Sequence, residues 1–193
     1  MKYAAEVATE RYHLSQRILH WVVAVLVISG LAAGMTLGTL GFEGARDLFG
    51  PGMTGALYVA HKTTGVLVLG LMIIRVGVRL RYGQPPYATP LPQVQRIAAG
   101  TVHTLLYGLL LAMPVVGWLA TAAGGHPINF FIWELPPLIG EKEALARALF
   151  WWHGALGWLL LVLVLGHLGA ALHHWRIRRD TVMQRMSLFG DPG

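Results

Sequence analysis

The chain of 193 residues contains no cysteine. That absence excludes structural disulfides, iron–sulfur clusters, thioether-linked haem and cysteine-type zinc sites. Charge is scarce as well. Only 12% of the residues are charged, about half the fraction of an ordinary soluble domain. No glycine-rich nucleotide motif stands in a strand–turn–helix context, and no internal repeat is visible. The formal charge of +6 gathers near the ends of apolar blocks. It therefore reads as membrane topology, with no nucleic-acid partner.

What the chain has is apolar length. Hydrophobic residues make up 55% of it, concentrated in four blocks at about 18–38, 57–79, 97–123 and 146–175. Each reaches the roughly 20 residues that cross a bilayer at helical rise. Lipid offers the backbone no hydrogen bonds, so the blocks must be helices. The expected fold is an all-α membrane protein, a single domain over 1–193 built as a four-transmembrane-helix bundle. Pro114 is expected to kink the third helix. A cleaved signal peptide is a rival for the first block, because the start of the chain is basic and residues 30–34 are small. The block continues at membrane length through Met35 and Leu37, which favours a true helix.

Lysines and arginines set the orientation. Lys2, Arg11, Arg17, Arg75, Arg79, Arg81, Arg96, Arg176, Arg178, Arg179 and Arg185 fall on one side, against Arg46, Lys62, Lys142 and Arg147 on the other. Eleven against four places both termini in the cytoplasm. The first outer connection, 42–56, reads as a short glycine-rich loop. The second, 124–145, is expected to lie in the interface, where Phe130 and Trp133 suit the depth. The inner segment 82–92 is proline-rich and should be extended.

Nine histidines in so apolar a chain are the strongest chemical signal. Coordinating groups inside membrane spans are costly and default to function. His20 falls near the inner end of the first helix and His61 near the outer end of the second. His153 falls near the outer end of the fourth and His167 near its inner end. Four histidines thus form two levels, with His20 facing His167 and His61 facing His153. Fourteen residues separate His153 from His167, a rise of about 21 Å that returns to within roughly 40° of the same face. Two imidazoles from facing helices suit six-coordinate haem iron and electron transfer. The residue four after each of these histidines is small: Ala24, Gly65, Gly157 and Ala171. A large side chain there would meet a porphyrin. Zinc suits the pattern less, since two ligands converge per level and no carboxylate joins them. A histidine-dependent proton transporter remains a haem-free rival, although such proteins usually add an intramembrane acid.

The other histidines carry weaker signals. His13 precedes the first span and reads as solvated, and His126 as an ordinary loop residue. His103 shares the inner depth; it is a candidate to hydrogen-bond a propionate or a quinone, or to cap a bundle contact. His173 and His174 end the fourth helix beside Trp175, as interfacial anchors or as donors to a quinone carbonyl. Arg17, Arg75 and Arg79 stand at the inner level and Lys62 at the outer, each able to pair a haem propionate or to anchor the helix ends.

The motifs LHW, AHKTTG, H…Y…MPVVGW, WWHGALGW and GHLGAALHHW resemble the bacterial cytochrome b561 family over about 11–186. The last two are also similar to the cytochrome b subunits of membrane formate dehydrogenases and nickel–iron hydrogenases. The resemblance implies two haem b groups ligated by His20, His61, His153 and His167, the four that depth selects. It implies a multi-pass protein of the bacterial inner membrane that exchanges electrons with ubiquinone. One class in the family is similar to a superoxide oxidase, with periplasmic superoxide as donor and a quinone site near a histidine beyond the last ligand, here His173 or His174, His174 being favoured. The function expected is a di-haem, quinone-linked oxidoreductase. The rivals are a haem-b anchor passing electrons for a partner dehydrogenase and the haem-free transporter.

Overall fold

The structure is a computed structural model that describes residues 10–86 and 92–189. Lys2 and residues 87–91 of the proline-rich inner segment lie outside the described residues. Three helices are long and apolar enough to cross a membrane. They are α1 (Leu14–Tyr82), α2 (Gln93–Ala123) and α3 (Glu143–His173), with a π-helical turn, His174–Arg178, extending the last.

α1 is 69 residues long, yet it is two helices merged across a kink. A straight helix of that length would separate its ends by about 100 Å. Instead the Gln16 side-chain amide donates to the Gly83 carbonyl at 2.8 Å. The chain therefore doubles back, and residues 14–40 and 51–82 are antiparallel arms. Gly41 and Gly50 make the reversal, with φ of 67° and 78°, where a Cβ would be strained. Pro51 follows as the first residue of the second arm, a position that needs no N–H. The expected glycine-rich loop at 42–56 is thus mostly helix. Two glycine hinges suffice for the turn, and the residues between them keep their helical hydrogen bonds.

His13 caps the first arm. Its side chain accepts from the Ser15 N–H while the Gln16 side chain accepts from the His13 N–H. Its ring also stacks on Tyr82 at 3.8 Å, tying the two arm ends together. α2 runs unbroken through Pro114. Between α2 and α3 the outer connection, which the sequence placed in the interface, forms a small antiparallel hairpin of β1 (Ile128–Phe130) and β2 (Trp133–Leu135).

Both arms of α1, together with α2 and α3, feed one core. Val23 and Val27 come from the first arm, Val68 and Met72 from the second, Leu106 and Leu109 from α2, and Leu160 from α3. This apolar layer lies midway along the bundle. Leu160 is seven residues from both His153 and His167, so it separates the two histidine levels along one helix face. Outward faces are apolar too: Ile28, Ile74, Val162 and Leu165 are all more than half exposed. The most apolar windows of α1 and α3 are only 11% buried. A helix apolar on every side and unburied by protein is one made for lipid.

The chain ends meet on one side. The Arg11 and Arg17 guanidinium groups both donate to the Ser187 carbonyl, and the Trp21 indole to that of Met186. Arg185 is buried and donates to the Glu10 carbonyl. Burial pushes its pKa below the ordinary arginine value, and Tyr12 and Glu10 oppose that shift. Arg17, a sequence candidate for a propionate, is engaged in this clamp at 2.8 Å.

Candidate functional site

Two histidine pairs are brought together across the bundle. At the outer level His61, on the second arm, faces His153 on α3 with ring centres 6.0 Å apart. At the inner level His20, on the first arm, faces His167 with ring centres 6.1 Å apart. Both separations can be compared with a simple expectation. A metal–nitrogen distance of about 2 Å, plus about 1 Å from nitrogen to ring centre, puts two trans imidazoles roughly 6 Å apart. The rings are steeply inclined, at 88° and 75°, which rotation about a shared nitrogen–metal axis permits. Among the described residues no three His, Cys, Asp or Glu side chains converge as a metal-holding group. Two ligands per level fit haem iron, whose other four positions belong to the porphyrin.

The outer pair is held by backbone. The His61 Nδ1–H donates to the Gly30 carbonyl at 3.1 Å. A carbonyl only accepts, so the proton is fixed on Nδ1 and Nε2 keeps its lone pair for a metal. The His153 Nδ1 is buried, and the Met113 backbone approaches it without completing a hydrogen bond. Each ring lies against a glycine of a neighbouring helix. A Cβ on Gly34 would come within 2.7 Å of His61 Cε1, and one on Gly117 within 2.9 Å of His153 Cε1. Sequence reasoning missed both glycines, because their partners are more than twenty-five residues away. The MPVVGW motif that contains Gly117 was the available signal.

Gly65 and Gly157, one turn beyond His61 and His153, are different. A Cβ on Gly65 would meet no protein atom within 4 Å, and one on Gly157 only Met113 Cε at 3.8 Å. Protein packing does not require glycine at either position. The same is true of Gly70 and Gly108, so this openness supports a cradle only together with the adjoining histidines.

The inner level is more crowded. Arg75 donates from Nη2 to His20 Nδ1 at 3.0 Å and from Nε to the Tyr107 hydroxyl at 3.0 Å. His103 sits with its ring 5.4 Å from that of His167. The expected inner grouping of His20, His167, His103 and Arg75 is thus reproduced, and Tyr107 joins it. Arginine is only a donor, so Nδ1 of His20 accepts, and the neutral ring carries its proton on Nε2. Ligation through Nε2 therefore requires Arg75 to release that ring. The inner pair fits a metal by distance, and the outer pair fits by distance and tautomer.

The remaining residues take clear positions. The Lys62 ammonium donates to the Pro127 carbonyl at 2.7 Å and approaches Asn129 Oδ1 at 3.5 Å. Thr63 accepts from the Phe131 N–H at 2.9 Å. Both residues after His61 therefore hold the hairpin over the outer level. Arg79 bonds Gln84 and lies 5.8 Å over the Tyr12 ring. His126 and His173 are exposed. His174 is half-buried, with its Nδ1 2.6 Å from Asp180 Oδ2, a partner that the sequence did not suggest.

Long apolar helices that carry paired imidazoles across a bundle define a class, the helical membrane cytochromes. Comparison with known proteins agrees. The family described as "Prokaryotic cytochrome b561" matches residues 11–187. Cytochrome b561 homolog 2 of Escherichia coli (strain K12) is 33% identical over 92% of this chain and 91% of its own length. Cytochrome b561 homolog 1 of the same organism is 30% identical over 91% and 96%. A Yersinia pestis protein named "Probable superoxide oxidase CybB" is 28% identical over 92% and 96%. The chain belongs to the prokaryotic cytochrome b561 family, membrane electron carriers that bind haem b.

Proposed function

We propose that this cytochrome b561 is a four-span, di-haem oxidoreductase of the bacterial inner membrane, with both termini cytoplasmic, that passes electrons from a periplasmic donor to ubiquinone. The observation that carries the reading is the pair of six-ångström imidazole separations, one at each end of a shared apolar core. His61 and His153 would hold the outer haem, and His20 and His167 the inner. Haem b, when bound, supplies a reversible one-electron couple at each level.

The chain's own residues do the rest. Gly30 fixes the His61 tautomer, and Gly34 and Gly117 admit the two outer rings. The Val23, Val68, Met72 and Leu160 layer keeps water out between the levels. Arg75 stands where it can neutralise a propionate once it leaves His20, with Tyr107 holding its other nitrogen. The hairpin and Lys62 line the outer approach, where an anionic one-electron donor such as superoxide is the donor class that the relationship to the Yersinia pestis protein suggests. His103 and His174 flank the inner approach and suit a quinone headgroup, whose carbonyls accept hydrogen bonds.

The test is a reduced-minus-oxidised visible spectrum of purified protein with a pyridine haemochrome count. Two haems per chain and a sharp low-spin α-band are expected, followed by reoxidation on addition of a short-chain ubiquinone. A colourless protein overturns the haem reading. A coloured protein that quinone does not reoxidise overturns the acceptor.

A further inference from the structure

The meeting of the chain ends gathers positive charge. The Arg11 and Arg17 guanidinium groups lie within hydrogen-bond reach of the same oxygen, the Ser187 carbonyl. Arg185 joins them, because the Tyr12 N–H donates to its carbonyl at 3.2 Å and so pins 10–12 against 185–187. Arg185 is only 6% exposed; its Nε donates to the Glu10 carbonyl and its Nη2 is buried without a hydrogen-bond partner. Arg17 Nε is buried without a partner as well. Among the described residues neither Arg17 nor Arg185 forms an ion pair with a carboxylate. Three cations thus converge on the carbonyls of Ser187 and Glu10, which carry no formal charge. Like charges this close repel, and a guanidinium withdrawn from water without a counter-charge is costly.

A charge that served topology alone would stand in solvent, as the exposed Arg81 and Arg176 do on the same side. Arg11 and Arg17 are instead half-buried and turned onto the far end of the chain. Arg17 also borders an apolar stripe. Leu14, Ile18, Trp21, Val25 and Ile28 recur at steps of three and four along the first arm, and all are exposed. Val23 and Val27, on the opposite side of that arm, are buried in the core. The stripe therefore faces away from the bundle. From Leu14 to Ile28 it rises about 21 Å, more than the ~15 Å of hydrocarbon in one leaflet. Trp21 stands one turn from Arg17, and its indole donates to the Met186 carbonyl at 2.9 Å. Tryptophan favours headgroup depth. Cations, an indole and a chain-length apolar face thus occur in the order in which a phospholipid presents phosphate, glycerol and acyl chain.

We propose that Arg11 and Arg17 bind the phosphate of an anionic phospholipid whose acyl chain lies along the Leu14–Ile28 stripe, with Arg185 adding a third positive charge close by. A phosphodiester spreads one negative charge over two equivalent oxygens, which suits a pair of guanidinium forks. A zwitterionic headgroup brings its own cation, which the three arginines repel, so the site selects a headgroup with net negative charge. A soluble anion offers nothing to the stripe and forgoes the burial of apolar surface. Because both arginines also hold Ser187, the bound lipid would strengthen the junction between the first arm and residues 184–189.

The experiment titrates purified full-length protein, in a neutral detergent, with dioleoylphosphatidylglycerol, dioleoylphosphatidylcholine or inorganic phosphate, and counts bound lipid by native mass spectrometry. Wild type should retain one phosphatidylglycerol per chain, about tenfold more tightly than phosphatidylcholine. A large excess of inorganic phosphate should leave that lipid bound. Arg17→Gln should weaken phosphatidylglycerol by about tenfold, the loss of a charge-assisted hydrogen bond, and leave phosphatidylcholine unchanged. Arg17→Lys keeps the charge without the fork and should fall between the two. Arg176→Gln removes the same charge from the same side, away from the stripe, and should keep roughly the wild-type affinity. Circular dichroism reports that each variant is folded; if Arg17→Gln is not, Arg11→Gln carries the same test. Equal retention of the two lipids overturns the proposal. So does an equal loss in Arg176→Gln, the mark of diffuse surface charge. Displacement of the lipid by inorganic phosphate overturns it too, since a soluble anion would then be the occupant. No readout involves electron transfer, so each outcome is independent of the haem and quinone readings.

Discussion

The outer and inner histidine pairs have nearly the same ring separation, 6.0 and 6.1 Å, but they are held by different means. Around the outer pair the controlling atoms are backbone: the Gly30 carbonyl on His61, and two glycines whose missing Cβ atoms give the rings room. Around the inner pair they are side chains: Arg75, Tyr107 and His103. Backbone contacts cannot rearrange without moving a helix, whereas an arginine can exchange partners by rotating a few bonds. The outer pair is therefore fixed by the fold, whereas the inner pair has a movable cation beside it.

The largest expected effect comes from removing a ligand at one level only. His153→Ala should lose one of the two haems, measured by pyridine haemochrome, and keep the inner α-band. His167→Ala should do the reverse. Loss of both haems from either variant would show that the two levels are not independent and would break the comparison.

Next come the glycines. Gly34→Ala puts a methyl group within 2.7 Å of the His61 ring, closer than real contacts allow. Displacing a packed group in this way costs about 1–3 kcal/mol. Outer haem occupancy should fall, with little change at the inner level. Gly65→Ala sharpens the test, since its methyl group meets no protein atom within 4 Å. If Gly65 borders a porphyrin, this variant also loses outer haem, without a stability change in haem-free protein. Full haem occupancy would remove Gly65 from the cradle.

The difference between the two levels also explains what the sequence could reveal. His20, His61, His153 and His167 were legible because helical rise converts their spacing into depth, and depth alone pairs them. The apolar blocks were legible for the same one-dimensional reason. Gly34 and Gly117 were not, since their role is set by rings on other helices. The helical character of 42–49 was hidden because glycine-rich composition usually marks a loop, whereas here Gly41 and Gly50 alone provide the turn. The Asp180 contact depends on a left-handed arginine, a conformation that no local pattern announces. Lys62 read as a propionate partner or a helix-end anchor, and in the structure it bonds a hairpin that was itself unforeseen.

A smaller effect is expected at Arg75. Arg75→Gln removes a cation from the inner level while leaving a group that can still bond Tyr107. Loss of nearby positive charge favours the oxidised form of a bound haem. The inner potential should drop by some tens of millivolts, where about 59 mV is tenfold for one electron. The outer potential, some 21 Å away along the helix, should hold. Redox titration of the α-band resolves the two. Equal shifts at both levels would mean that Arg75 acts on the whole bundle and not on the inner site.

The smallest effect belongs to the hairpin. Lys62 and Thr63 follow His61 directly, and both bond the segment that covers the outer pair. Thr63→Val keeps the shape and removes the acceptor for the Phe131 N–H. A buried hydrogen bond lost in this way costs about 1 kcal/mol. The bundle core does not include the hairpin strands, so the cost should appear as local opening and not as global unfolding. Amide exchange at Phe131 should accelerate by up to about tenfold, and the protein should keep both haems with the wild-type spectrum. The outer haem should then react faster with a small water-soluble oxidant than in the wild type, while the inner haem is unchanged. Unaltered exchange at Phe131 would mean that Lys62 alone secures the hairpin. Lys62→Met is then the variant that opens it, because the ammonium holds the same segment through the Pro127 carbonyl and Asn129.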